Sequence, residues 1–587
     1  MDQNNSRKLR RSAFMATLFF LGMTTLAAAR PVSSDDLMNA AGNTSDWLNH
    51  GRTYDMQRFS PLTQINPCNV NNLRPIWSFA VGNLDGLEAT PLVHDGIMYI
   101  TSAYAHVFAL DARNGRKLWH YTPDVPKDLG TVLCCGPVNR GVALRGNLVY
   151  VTPLDARLVA LNKDTGKVVW EKKIDDWKAG YTTTAAPLVI RDHVIVGVAG
   201  GEYGIRGHIK SYNAKTGDLE WTTYTIPAPG EPGNDTWPGD TWKTGGAATW
   251  NTGTYDMASN QLYWGTGNGA PWVAELRKGD NLWIAALLSL NPDTGKINWG
   301  FQYTPNDAWD YDGNMPPILA DITYEGKKIK AAMQSNRNGF FYVLNRENGE
   351  FIYAEPTIEG INWTHGIDPK TGRPDVNQAM VPKADGKTVK PIIPGLEGGT
   401  NWFGFAYNPC LGYAIIPTNQ WAMSMTGYKP EDITYEPGQI YMGMDFQMYR
   451  QGETIGHLKA FDVQNRKWVW DIASPLPFFA GVLTTKSGLV FTGDQLGFIF
   501  AADVKSGKML WRYQTGSGIN ASPITYALDG KQYIAILSGL GGDPSFYFQN
   551  PKGGTLFVFG LDSLDSGAAA AGNWEVEHIE GALPNLD

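Results

Sequence analysis

Cysteine is scarce: four in 587 residues, too few to make a disulfide scaffold of a chain this long. No Cys-x-x-Cys-His run occurs anywhere, so no fused cytochrome domain is expected. Positive charge is also short. Lys and Arg total 49 against 57 Asp and Glu, a net charge of −8, which excludes a basic nucleic-acid binder. Past the amino terminus no apolar stretch reaches the ~20 residues a membrane-spanning helix needs. What the chain has in quantity is glycine (66) and tryptophan (21), the mark of many tight turns between short strands rather than of a helical bundle.

The amino terminus reads as an address. Arg7, Lys8, Arg10 and Arg11 precede an apolar run from about Ala13 to Leu26, and Ala27-Ala28-Ala29 supplies small residues for cleavage. Residues 1–29 are therefore expected to be a secretory signal peptide, leaving 30–587 as one exported domain in a compartment that permits disulfides.

One phrase returns along that domain: a small residue, a spacer, Asp or Asn, a polar turn with Gly, then an aromatic ring. It ends at Trp119, Trp170, Trp221, Trp299, Tyr353, Trp470 and Trp511, with Trp77 as a degenerate eighth member. The fifth copy swaps in Tyr353, and the sixth carries Arg466 where the others have glycine. Each phrase parses as strand, Asx-capped turn, strand, and the runs between phrases supply further strands. Four short strands per unit is a propeller blade. The expectation is all-β: an eight-bladed β-propeller of four-stranded antiparallel blades, with each ring docking on the next blade. The long gaps from Trp221 to Trp299 and from Tyr353 to Trp470 mark inserts that should decorate one face.

This phrase, the export signal and a set of site motifs together resemble the quinoprotein alcohol dehydrogenases, which use pyrroloquinoline quinone (PQQ). The resemblance runs from about Ser45 to Gly560 and implies the following residues. Cys134-Cys135, in LCCGPVNRG, matches a vicinal disulfide that stacks on one face of PQQ. Read alone, adjacent cysteines are equally two thiols, since neighbouring Cα atoms about 3.8 Å apart make a bonded pair strained. Trp250, in GGAATWNTG, matches the ring on the opposite face. Arg140, Thr184, Asn401, Glu88 and Arg337 match contacts to the cofactor's rim, and Gly200 and Gly201, in AGGEYGIRG, belong to the same set. Glu202 and Asn268 match metal ligands, and Asp310 matches the catalytic base and a ligand. Oxygen ligands without a His or Cys cluster suit a hard cation.

Asp312 discriminates further. Residues two apart on an extended segment point the same way, so Asp310 and Asp312 can face one pocket. The resemblance implies a lanthanide (the La3+/Ce3+ class) where this aspartate is present, with calcium as fallback. The implied activity is periplasmic oxidation of a small primary alcohol, ethanol or similar, to the aldehyde. Electrons would pass to a soluble cytochrome c, with no nucleic-acid partner. A homodimer is open. Two departures stand out: Phe479 replaces a tryptophan common near the cofactor, removing a hydrogen-bond donor, and Asp543 replaces a bulky aromatic, implying a roomier substrate pocket. Cys68 and Cys410 either pair or stay free. A lanthanide-type methanol dehydrogenase and a non-enzymatic propeller scaffold for outer-membrane protein assembly are the alternatives.

Overall fold

Inner and outer strands of each sheet differ in a way their sequences dictate. Ile97–Thr101 and Val107–Asp111 are buried at every position, because both faces of an inner strand meet other β-sheets. The outer strands Lys117–Tyr121 and Val168–Lys173 are mostly exposed or half-buried, with Trp119 the one buried position. The computed structural model describes residues 29–542, 544–547 and 551–561. The signal segment expected over 1–29 therefore lies, apart from Ala29, outside the described residues, and so does Asp543.

Among the described residues the strands form seven four-stranded sheets and one five-stranded sheet, most built from strands consecutive in the chain. Two of the three exceptions tie the ends together. Leu73–Ala80 pairs antiparallel with Thr555–Leu561, so an amino-terminal strand completes the carboxy-terminal sheet. Phe59–Ser60 pairs parallel with Leu483–Thr485 as the fifth strand of its sheet. The chain is all-β, as its repeats imply; its helices are single short turns such as Ser34–Met38.

The repeated phrase has a physical reading residue by residue. Its opening small residue stands directly across the ladder from its closing ring: Ala109 pairs with Trp119, Ala160 with Trp170, Ser211 with Trp221, Ser289 with Trp299. A β-bulge just before each ring inserts one unpaired residue and turns the ring off the ladder. The ring then lies over the turn glycine of the following phrase. A Cβ added at Gly166 would fall 2.6 Å from the Trp119 ring, and one at Gly295 2.5 Å from that of Trp221. Trp119, Trp221 and Trp470 each donate their indole N–H to a carbonyl of that turn, at 2.8, 3.0 and 2.9 Å.

The two irregular copies turn out to be one contact. Tyr353 faces the turn containing Arg466, which adopts the glycine-like φ of 51° itself. Its guanidinium sits 4.9 Å over the Tyr353 ring, and the tyrosine hydroxyl donates to Val463 O at 2.6 Å, where other copies use the indole N–H. A side chain at the turn leaves no room for a flat indole there, and the smaller tyrosine ring fits beside it.

Gly166 has φ 69° and no space for a methyl group. Gly166→Ala should cost roughly 2–5 kcal/mol, adding left-handed strain to overpacking against Trp119. Thermal denaturation should register this as a melting point lower by several degrees.

The insert after Phe351–Pro356 forms a two-stranded sheet (Thr364–Ile367 with Pro374–Val376) and a three-stranded one (Thr388–Ile392, Trp421–Gly427, Met444–Arg450). It meets the earlier insert, where Trp272 N donates to Met442 O, and the Glu202 turn, where Tyr441 N donates to Glu202 O. The two inserts thus converge on the turns carrying the expected site residues.

Candidate active site

Two turns carry the acids. Asp307 is the second residue of the NDAWDYD loop, its Oδ1 accepting the backbone N–H of Trp309 and of Tyr311. That Asx-type closure holds Asp310 at φ 63° and sends both Asp310 and Asp312 inward. Glu202 sits in the short turn Gly201–Tyr203, flanked by Gly200 at φ 119° and Gly204 at φ 65°. A Cβ at Gly200 would lie 2.0 Å from Gly180 O, and one at Gly201 2.4 Å from the Asn268 amide. Both glycines are therefore required by close approach.

Arg337 joins the acids: it donates to Asp310 Oδ2 at 3.0 Å, to Asp312 Oδ2 at 3.1 Å and to Leu396 O at 2.7 Å. Trp250 Nε1 donates to Asp312 Oδ2 at 2.7 Å, which fixes the indole plane. Asn268 lies beside Glu202. Hydrogen bonding assigns its amide oxygen to Trp272 Nε1 (2.8 Å) and its NH2 to Glu202 Oε1 (3.2 Å). Asp310 Oδ1 and Asp312 Oδ1 are buried without a hydrogen-bond partner.

The rim residues form the adjoining wall. Arg140 pairs with Glu88 at 2.8 Å, and its guanidinium stands 4.8 Å from the Trp250 ring and 5.6 Å from that of Trp402. Arg140 Nε and Nη1 are buried and donate to nothing in the protein. Thr184 Oγ1 donates to Trp250 O at 3.0 Å, and Asn401 Nδ2 donates to Glu397 Oε2 at 2.8 Å. Cys134 and Cys135 carry their sulfurs 2.7 Å apart; Cys134 hydrogen-bonds to Glu202, and Cys135 O and Glu88 Oε1 both lie against Gly542. Cys68 and Cys410 are exposed and free.

The electrostatics follow from this crowding. Burial first, then the charges of Asp312, Glu202 and Asp307, push the Asp310 carboxyl well above its ordinary range, with Arg337 opposing. Burial likewise raises Glu202, with Asp312 adding to it, and raises Asp312 against the pull of Arg337 and the Trp250 N–H. Asp307 is pushed up to about 6 by burial. Three acids facing one shared guanidinium suit a multivalent cation of hard character, and the unpartnered Oδ1 atoms supply lone pairs for it. No three His, Cys, Asp or Glu side chains close into a ready cage among the described residues. The donor set needs the Asn268 amide, and Arg337 already holds the two aspartates. The unpartnered Arg140 nitrogens and the flat, anchored Trp250 likewise fit a planar polyanion.

Every site residue read from the sequence is brought to this wall or its edge. The sequence reading missed Glu397, which binds Asn401 and is itself raised by burial, and Trp272, four residues beyond Asn268. A buried acid in the glycine-rich run around Asn401 was the available signal for the first. The donor deemed lost at Phe479 is also revised: Phe479 stacks on Trp402 (5.3 Å, 16°), whose own Nε1 is buried and unpartnered at the same wall.

Known proteins resemble the chain over most of its length. The family described as "PQQ: Glucose/ethanol/alcohol dehydrogenase, beta-propeller domain" matches residues 47–356 and 453–534. The quinoprotein alcohol dehydrogenase PedH of Pseudomonas putida is 44% identical over 92% of this chain and 93% of its own. A lanthanide-dependent methanol dehydrogenase of Methylacidiphilum fumariolicum is 38% identical over 91% and 90%. A solved europium-containing methanol dehydrogenase superposes with a TM-score of 0.86 at 36% identity, covering 90% of this chain and 100% of that one. The chain therefore belongs to the PQQ-dependent quinoprotein alcohol dehydrogenases, β-propeller oxidoreductases.

Proposed function

We propose that the chain is an exported dehydrogenase that oxidises primary alcohols, ethanol and similar, to aldehydes with a lanthanide ion beside its quinone. Glu202, Asn268, Asp310 and Asp312 hold the ion. Trp250 and the Cys134-Cys135 pair, bonded in an oxidising compartment, enclose the cofactor, with Arg140, Thr184, Asn401, Glu88, Gly200 and Gly201 around its rim. When bound, PQQ with its ion supplies the acceptor for the alcohol's hydride.

The protein's own part is proton handling and orientation. Asp310 takes the hydroxyl proton as general base. Its burial favours the neutral acid, so ionisation depends on Arg337 and on the cation alongside. Arg337, fixed by Leu396 O, also donates toward the oxygen that becomes negative. The observation that carries the lanthanide reading is Asp312: a second carboxylate within reach of the same guanidinium as Asp310, with one oxygen unpartnered. The relatives named for lanthanide or europium add support.

The eight sheets of four or five strands are read as eight blades of one domain over 30–587, each ring docking on the next. A soluble cytochrome c takes the electrons, an acidic surface favouring a basic partner. Export to the periplasm follows from residues 1–29; among the described residues no helix is long and apolar enough to cross a membrane.

The test is dye-linked oxidation of ethanol and of methanol by protein supplied with PQQ and either La3+ or Ca2+, alongside elemental analysis of the protein as isolated. Ethanol turnover strongest with La3+ is expected. Activity with Ca2+ alone would overturn the lanthanide, and methanol preferred over ethanol would move the chain to the methanol type.

A further inference from the structure

Asn268 and Trp272 lie on the loop that follows the strand Gln261–Gly265. Hydrogen bonding alone favours the Asn268 amide turned so that its oxygen accepts from the Trp272 indole N–H, 2.8 Å away, and its NH2 donates to Glu202 Oε1, 3.2 Å away. That is a good hydrogen-bond arrangement and a poor one for an ion. A hard cation between Glu202 and Asn268 takes oxygen from both, and an amide NH2 repels it.

Something must yield, and the surroundings decide what. Trp272 is held: its backbone N–H donates to Met442 O at 2.8 Å, its ring leans on Phe446 at 6.1 Å, and it is 2% exposed. The amide cannot slide, because it already fills the space where a Gly201 Cβ would stand. Rotation about the terminal torsion is the freedom left, and that torsion is soft in asparagine.

We infer that the Asn268 amide turns over when the ion binds, and that Trp272 is the positioning residue opposing the turn. The inference rests on the metal reading above. In the loaded state the amide presents oxygen to the ion and NH2 to the Trp272 N–H, leaving a buried donor without an acceptor. Trp272 thus weakens ion binding and favours release, a role opposite in sign to that of a supporting side chain.

The experiment is calorimetric titration of La3+ into the metal-free full-length protein. Wild-type binding at one ion per chain, lost in Glu202→Gln, is the outcome the metal reading requires; no wild-type binding overturns that reading and this inference together. Given binding, Trp272→Phe and Trp272→Leu are both expected to bind La3+ at least about fivefold more tightly, with melting points showing that each is folded. In an Asn268→Asp background the same changes should give no gain, because a carboxylate offers one oxygen to Trp272 and another to the ion. Unchanged or weaker binding in the Trp272 variants, or a gain that persists in the Asn268→Asp background, overturns the turn while leaving the metal reading intact.

Discussion

Asp310→Asn should lower kcat for alcohol by about 10³-fold or more, the largest effect expected of any single side chain here. Asparagine is the informative replacement because the backbone constrains the choice. Asp310 sits at φ 63°, a left-handed conformation that Asn accepts more readily than Ala. The Asp307 closure that builds the loop does not involve the Asp310 side chain. An amide can still accept from Arg337, so the loop and guanidinium keep their places while the proton acceptor is gone. Steady-state kinetics with PQQ absorbance recorded on the same sample check it. A variant that holds its cofactor and turns over within tenfold of wild type would remove Asp310 as the base.

The repeats were legible because one phrase encodes three local facts at once: an Asx turn, a bulge, and a ring opposite a small residue. The pairing of Tyr353 with Arg466 was visible only as two separate irregularities, since nothing in one sequence says that those positions touch. The inserts carry no period, and their small sheets and their meeting at Tyr441 and Met442 were not readable for that reason. In the site, the residues proposed to touch a ligand are legible through the resemblance. Trp272 and Glu397 act on other side chains, and spacing alone does not reveal a partner reached through the fold. The fate of Cys68 and Cys410 needed coordinates: both lie exposed and free.

Asp312→Ala should abolish La3+-supported turnover, a loss of roughly 10²-fold or more, while any Ca2+-supported turnover falls less. One Asp312 oxygen is committed to the Trp250 N–H and to Arg337, and the other is buried and unpartnered. The substitution therefore removes the proposed ligand oxygen and the carboxylate's negative charge. A trivalent ion depends on that charge more than a divalent one, because the cost of crowding Asp310, Asp312 and Glu202 falls as the charge between them rises. Alanine also strands the Trp250 N–H, which alone costs about 1–3 kcal/mol and loosens the indole. Asp312→Asn separates the two contributions: its amide oxygen can still accept from Trp250, so the ring stays anchored while the charge is lost. Weaker La3+ binding in both variants by calorimetry, with Trp250 fluorescence disturbed only in Asp312→Ala, is the expected pattern. La3+ activity unchanged in both would leave the site a divalent-ion site with a structural aspartate at its edge.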